Sequence, residues 1–166
     1  MKTLPVAAFL LLLLPCQALA QDESSARFFP YTFVAPGGVS NGGTTLHVGG
    51  GFDALIWKGL GASVEGGYLG PVPDGFDYGI GVISANAVFH TRPPRRHQLT
   101  PFVTGGYSFA FREQHGNAIN FGGGVNYWLS ERTAMRVEFR DHMPVAGGEV
   151  QDAHLWGARF GFTWAR

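Results

Sequence analysis

His154-Leu-Trp-Gly-Ala-Arg-Phe-Gly-Phe-Thr-Trp164 alternates without a break. One face carries Trp156, Ala158, Phe160, Phe162 and Trp164, the other Leu155, Gly157, Arg159, Gly161 and Thr163. A β-strand sends successive side chains to opposite sides. The stretch therefore has an aromatic wall and a small, polar wall bearing one arginine. In water, an edge strand with such a wall is a template for aggregation. In a barrel closed within lipid, with the aromatics outward, hydrocarbon solvates the wall and every backbone group is paired.

Seven upstream segments repeat the design, at 28–36, 44–56, 60–69, 78–91, 99–112, 118–129 and 132–142. The first sets Phe29, Tyr31, Phe33 and Ala35 on one face, which the same reasoning turns outward. In the second, Leu46, Val48, Phe52 and Ile56 oppose Thr45, His47 and Asp53; in the third, Leu60, Val64 and Tyr68 oppose Ser63 and Glu65. The fourth is the least regular. Ile83, Ala85 and Phe89 oppose Ser84, Asn86 and His90, with a slip of phase expected near Gly81, as at a bulge. Val103, Tyr107 and Phe109 oppose Thr104, Ser108 and Arg112; Phe121, Val125 and Tyr127 oppose Asn120 and Asn126. In the seventh, Met135, Val137 and Phe139 oppose Arg136, Glu138, Arg140 and His142. The glycine runs 49–51 and 122–124 fall mid-strand, where glycine relieves crowding, and no phosphate-loop motif surrounds them.

The connections also alternate. Trp57-Lys-Gly59, the basic Arg92-Pro-Pro-Arg-Arg-His97 and Ser130-Glu-Arg132 form one set. The other set, 37–43, 71–77, 113–117 and 144–152, is mostly longer and rich in turn formers. An even number of strands, short turns at one end and longer loops at the other predict an all-β, eight-stranded antiparallel up-and-down transmembrane β-barrel with both termini in the periplasm.

Ahead of the barrel, Lys2, the apolar run from Val6 to Leu14 and Ala18-Leu-Ala20 read as a secretory signal peptide over 1–20, cut after Ala20. Residues 21–27 are a short polar leader and 28–166 the barrel domain. The run between Pro5 and Pro15 is too short for a spanning helix, which needs about 20 apolar residues. Cys16 leaves with the signal, so the mature chain offers no disulfide, thiolate metal site or cysteine nucleophile. Without Lys2, 11 basic residues face 12 acidic ones, and a net charge of −1 gives nucleic acid nothing to bind wholesale. Charged residues make up 14% of the chain, against about 25% in soluble domains.

Alternation does not say which face points out. A soluble lipocalin-type barrel would turn its apolar face inward. Here the polar face is mostly Gly, Ser, Thr and Asn, too small and uncharged for a soluble surface but sized for a crowded interior. Tyr68, Tyr107, Tyr127, Trp156 and Trp164 lie towards segment ends, as an interfacial girdle would. On this pattern, 28–166 resembles the eight-stranded outer-membrane β-barrel proteins of Gram-negative bacteria, the class of the OmpA transmembrane domain and OmpX. The best local match is the terminal strand, with Phe160, Phe162 and Trp164. The resemblance implies an outer-membrane location and contact with outer-membrane lipids and lipopolysaccharide. It also implies that an aromatic-ended closing strand is read by the barrel assembly machinery. Ala165-Arg166 after Trp164 departs from that signal, and no peptidoglycan-binding domain of the OmpA kind is expected. A monomer is expected.

Asp53, Glu65, Arg136, Glu138, Arg140 and Arg159 all fall on the inward face. Small barrels are filled by their own side chains, and charges buried there must pair. A salt-bridged plug is the expected reading; a gate, in which alternative pairings open a passage, is the rival. None of the six histidines is spaced from another as metal ligands would be, and no cofactor motif appears. Some barrels of this class edit lipid A, and the deacylase branch carries a His-x-Ser pair on a strand. No histidine here has a serine two residues later. The chain therefore reads first as a structural or surface-interaction barrel. A narrow channel or carrier for small or apolar compounds comes second, with the loop 71–77 its one hint of a wall gap, and a lipid-modifying enzyme third.

Overall fold

The computed structural model describes residues 27–72, 78–93, 95–112, 115–145 and 154–166. The expected signal peptide, most of the leader and parts of the loops 71–77, 113–117 and 144–152 lie outside these residues. Eight strands follow one another: β1 (Arg27–Val39), β2 (Thr44–Trp57), β3 (Leu60–Pro71), β4 (Ile80–His90), β5 (Leu99–Phe111), β6 (His115–Trp128), β7 (Thr133–Pro144) and β8 (Leu155–Trp164). Each pairs with its chain neighbour, and β8 closes on β1. All the pairings are antiparallel, the closing one included, where Tyr31 faces Thr163 and Gly38 faces Trp156. Closure leaves no sheet edge, which lets an apolar outer wall exist without inviting further strands.

The expected slip near Gly81 does not occur. The β3–β4 register runs unbroken from Leu60↔Phe89 to Leu69↔Ile80, and β4–β5 continues from Gly81↔Phe111. Space explains the regularity, because Phe111 and Tyr68 lie over Gly81 and Gly79, where a Cβ would collide with their rings. The irregularity lies instead between Leu55 and Trp57, at the turn into β3. There Lys58 (φ 46°) and Gly59 (φ 90°) both take positive φ, the two-residue hairpin geometry that matches strand twist.

Exposure answers the question of inside and outside. Val34, Phe52, Val64, Ile83, Tyr107, Phe121, Phe139 and Phe160 represent every strand, and all are exposed on the outer wall. Tyr127 and Trp164 ring the end that holds the chain termini, joined by Trp57, while Tyr68, Tyr107 and Trp156 lie towards the far end. β1 departs from the expected orientation. Phe29, Tyr31, Phe33 and Ala35 point inward and are buried, whereas Phe28 and Val34 face out. The cause is in the lumen, where the guanidinium groups of Arg136 and Arg159 lie over the rings of Tyr31 and Phe33 at 4.2 and 4.3 Å. A ring stacked on a cation satisfies both in a confined space.

Mid-strand glycines make room for these large groups. A Cβ on Gly51 would lie 2.8 Å from the Tyr31 hydroxyl, and one on Gly124 would meet the Val137 carbonyl, the Glu138 Cα and the Phe102 ring. Gly124→Val is expected to destabilise the barrel by about 1–3 kcal/mol through overpacking. Urea unfolding of the refolded chain checks this, and an unchanged midpoint would remove the packing role.

The difference in loop length between the two ends is weaker than expected. At the far end the connections are 40–43, 72–79, 112–114 and 145–154; at the termini end they are 58–59, 91–98 and 129–132. Because 91–98 outruns both 40–43 and 112–114, loop length by itself does not orient the barrel.

Candidate functional site

The lumen fills in layers, starting at the termini end. Phe29, Trp128 and Ala134 form an apolar floor, against which Leu55 and Ala165 pack. The Trp128 indole N–H donates to the Thr100 hydroxyl at 3.1 Å. His90 lies between Phe29 and Phe102, stacked at centroid distances of 5.6 and 5.4 Å.

The charged layer comes next, and it brings together all six lumen residues named from the sequence. Each is at most 3% exposed. Arg136 donates to Asp53 Oδ2 at 2.9 Å through Nη1 and reaches Glu138 Oε2 at 3.1 Å through Nη2, with its plane over the Tyr31 and Phe102 rings. Arg140 pairs with Glu138 through Nε at 2.6 Å and through Nη2, and lies 3.6 Å from Glu65. Arg159 holds Glu65 with a two-pronged grip, Nη1 to Oε2 at 2.8 Å and Nη2 to Oε1 at 3.0 Å. Three guanidinium groups thus face three carboxylates, so the layer is neutral as a whole. Two-pronged, charge-assisted bonds of this kind are the strong ones.

Neutral groups extend the layer around the wall. The Tyr31 hydroxyl donates to Glu65 at 2.9 Å. Arg140 donates to the Asn120 side-chain oxygen at 2.9 Å, Asn120 donates to Ser108 at 2.9 Å, and Ser108 meets Ser84 at 2.8 Å. Every strand contributes a side chain.

Besides Tyr31 and Phe33 of β1, sequence reasoning missed three participants. His90 Nε2 bonds Asp53 Oδ2 at 3.0 Å, but the pair spans β2 and β4, and no spacing links them. Trp128 and Phe102 shared the inward phase of their strands, yet as large apolar residues they did not fit the expectation of a polar interior. Phase was the signal that could have found them.

Beyond the charged layer the lumen opens into a cup of about 100 Å³ at the far end. Leu69, Ile80, Val82, Ala110 and Leu155 are among its walls, and His47, His142, Arg140 and Arg159 among its polar lining. The His47 and His142 rings lie 6.3 Å apart, and the Nε2 atom of each is buried without a hydrogen-bond partner. Among the described residues no three potential ligands converge as a metal site would require. At the rim, His154 Nδ1 bonds Asp141 at 3.0 Å, and the His154 backbone N–H donates to the Ser40 hydroxyl at 3.0 Å. Ser, His and Asp meet here, but no hydrogen bond joins the Ser40 hydroxyl to the imidazole ring. The nucleophile–base contact of a catalytic triad is therefore not assembled. Phe160, Phe162 and Trp164 stay apart from all of this, exposed on the outer face of β8.

No protein-family model matches the sequence, and no curated protein matches it. Solved structures do. The N-terminal β-barrel domain of Pseudomonas aeruginosa OprF superposes with a TM-score of 0.63 at 15% identity, over 84% of this chain and 97% of that one. Neisserial surface protein A gives 0.60 at 13% identity, over 84% and 96%. The outer membrane enzyme PagL gives 0.53 at 15% identity, over 80% and 97%. The fold is that of the eight-stranded outer-membrane barrels. A surface protein and an enzyme both share it, so the likeness carries architecture and leaves the task to be argued from the lumen and the surfaces.

Proposed function

We propose that the chain is an integral outer-membrane barrel with its termini in the periplasm. Its lumen is plugged by the ionic layer, and its role is structural or is carried by its surfaces. The observation that carries this reading is the pairing of a continuous exposed apolar wall with an interior in which every charge is matched. The wall suits hydrocarbon on all sides. The matched interior joins all eight strands into one unit and leaves a blind cup where a pore would need a passage. Phe160, Phe162 and Trp164, outward on the closing strand, are positioned for contact with the barrel assembly machinery during insertion. We read the chain as non-enzymatic, in keeping with the unassembled Ser40–His154–Asp141 set; lipid A of unchanged mass after expression is the expected result.

Single-channel recording on the refolded mature chain in a planar bilayer tests the plug. Protein shown by gel mobility to be folded is expected to give no steady openings. Discrete openings would replace the plug with a pore gated by the arginine cluster. A second reading, a carrier for small apolar compounds, draws on the apolar-walled cup. It requires uptake of such a compound with the ionic layer intact.

A further inference from the structure

Outside the lumen, seven of the eight described lysine and arginine side chains are gathered at one end. Lys58 occupies the β2–β3 turn, Arg92, Arg95 and Arg96 the β4–β5 connection, and Arg132 the β6–β7 connection. Arg27 and Arg166 flank the barrel's first and last strands, and all seven side chains are exposed. The described acidic side chain at this end is Glu131. None of the seven forms an ion pair with a described carboxylate; the described ion pairs are those of the lumen and, at the far end, that of His154 with Asp141. The far end is the reverse. Arg112 is its described cation, and it donates to the Gly79 carbonyl at 2.9 Å. Asp141 lies at that end; in the sequence outside the described residues, the segments joining the strands there hold Asp74, Asp77, Glu113, Glu149 and Asp152, and the leader ahead of β1 holds Asp22 and Glu23.

The basic end stands on ordered backbone. Gln98 N–H donates to the Arg95 carbonyl, Ala165 N–H to the Arg132 carbonyl, and Arg166 pairs with Phe28. Immediately inside the cations lie exposed Trp57, Leu60, Leu99, Tyr127 and Trp164, with the Lys58 ammonium 4.9 Å from the Trp57 ring centre. An apolar wall ending in aromatics, followed by a ring of lysine and arginine, reproduces the depth order of acyl chain, interface and phosphate. The cations come from four places spread around the barrel. A protein partner approaches from one side, whereas a headgroup layer surrounds the barrel.

We propose that this collar binds the phosphates of anionic phospholipids, such as phosphatidylglycerol, in the leaflet that meets the termini end. Binding there biases the barrel to insert with that end on the phospholipid side. The inference rests on the membrane-barrel reading above and names the lipid that the barrel selects.

The test reconstitutes the full mature chain in phosphatidylcholine bilayers that hold a minor fraction of phosphatidylglycerol. Energy transfer from tryptophan to a dansyl-labelled lipid of either headgroup reports which lipid surrounds the protein. Transfer to labelled phosphatidylglycerol is expected to show an enrichment of about fivefold or more, the worth of roughly one basic residue at an anionic surface. High salt should reduce the enrichment. The quadruple variant Arg92→Gln, Arg95→Gln, Arg96→Gln, Arg132→Gln should bring it close to parity while keeping the folded gel mobility. Equal transfer to both lipids by folded wild type overturns the collar and leaves the barrel standing. So does enrichment that survives in the variant, or a stronger preference for lipopolysaccharide than for phosphatidylglycerol. A chain that folds in none of these bilayers overturns the barrel reading, and the collar with it.

Discussion

Glu138→Ala is expected to weaken the folded barrel by about 3–5 kcal/mol, the cost of leaving a buried charge unpaired. Glu138 takes Arg136 on one oxygen and Arg140 on the other, and Arg159 lies 3.8 Å away. Its removal converts a neutral layer into one with a surplus guanidinium that water cannot reach. Arg136→Ala should cost a similar amount, because it leaves Asp53 with His90 alone, Glu138 with Arg140, and the layer with a surplus carboxylate. The double variant Glu138→Leu, Arg140→Leu keeps the layer balanced and should lose less than Glu138→Ala alone. Glu131→Ala, on the exposed β6–β7 connection, should change little. Urea midpoints in detergent or lipid, together with resistance of the compact gel band to heat, read all four. Wild-type resistance in both Glu138→Ala and Arg136→Ala would sink the plug as a source of stability.

Trp128→Ala should cost as much by a different route. The side chain is fully buried, packs edge-on against Phe29 at 6.1 Å and bonds Thr100. Truncation empties the floor of the lumen, at about 3–5 kcal/mol for a large aromatic, and removes the donor from the Thr100 hydroxyl. The neighbouring residue makes the control. Tyr127 points outward and is 39% exposed, so Tyr127→Ala should lower the same midpoint far less. Equal losses for the two would contradict the inward assignment of Trp128. Neither substitution touches the ionic layer, so bilayer recordings of both should stay silent.

These two predictions divide along the line between what could be read from the chain and what could not. The inward positions of Glu138, Arg136 and Arg140 follow from β7, where polar residues alternate strictly with Met135, Val137 and Phe139. Only the closed structure identifies their partners. Asp53 and Glu65 sit on β2 and β3, separated from β7 through β1 and β8, and the contacts that join them cross the lumen. Trp128 and the inward face of β1 show where pattern misleads. An aromatic at an inward position looks like an error when the interior is expected to be polar. It ceases to be one once guanidinium groups are there to stack on Tyr31 and Phe33.

Sequence alone determined the strand count, the up-and-down order and the outer face of seven of the eight strands. These depend on local periodicity, glycine-marked turns and the absence of any long helical run, all properties of short stretches. Tertiary structure decided the orientation of β1, the unbroken register of β4 and which carboxylate holds which arginine. It also placed His90 on Asp53. Those features come from closure, which brings distant strands to within hydrogen-bond distance across a narrow lumen and sends alternate connections to opposite ends of the barrel.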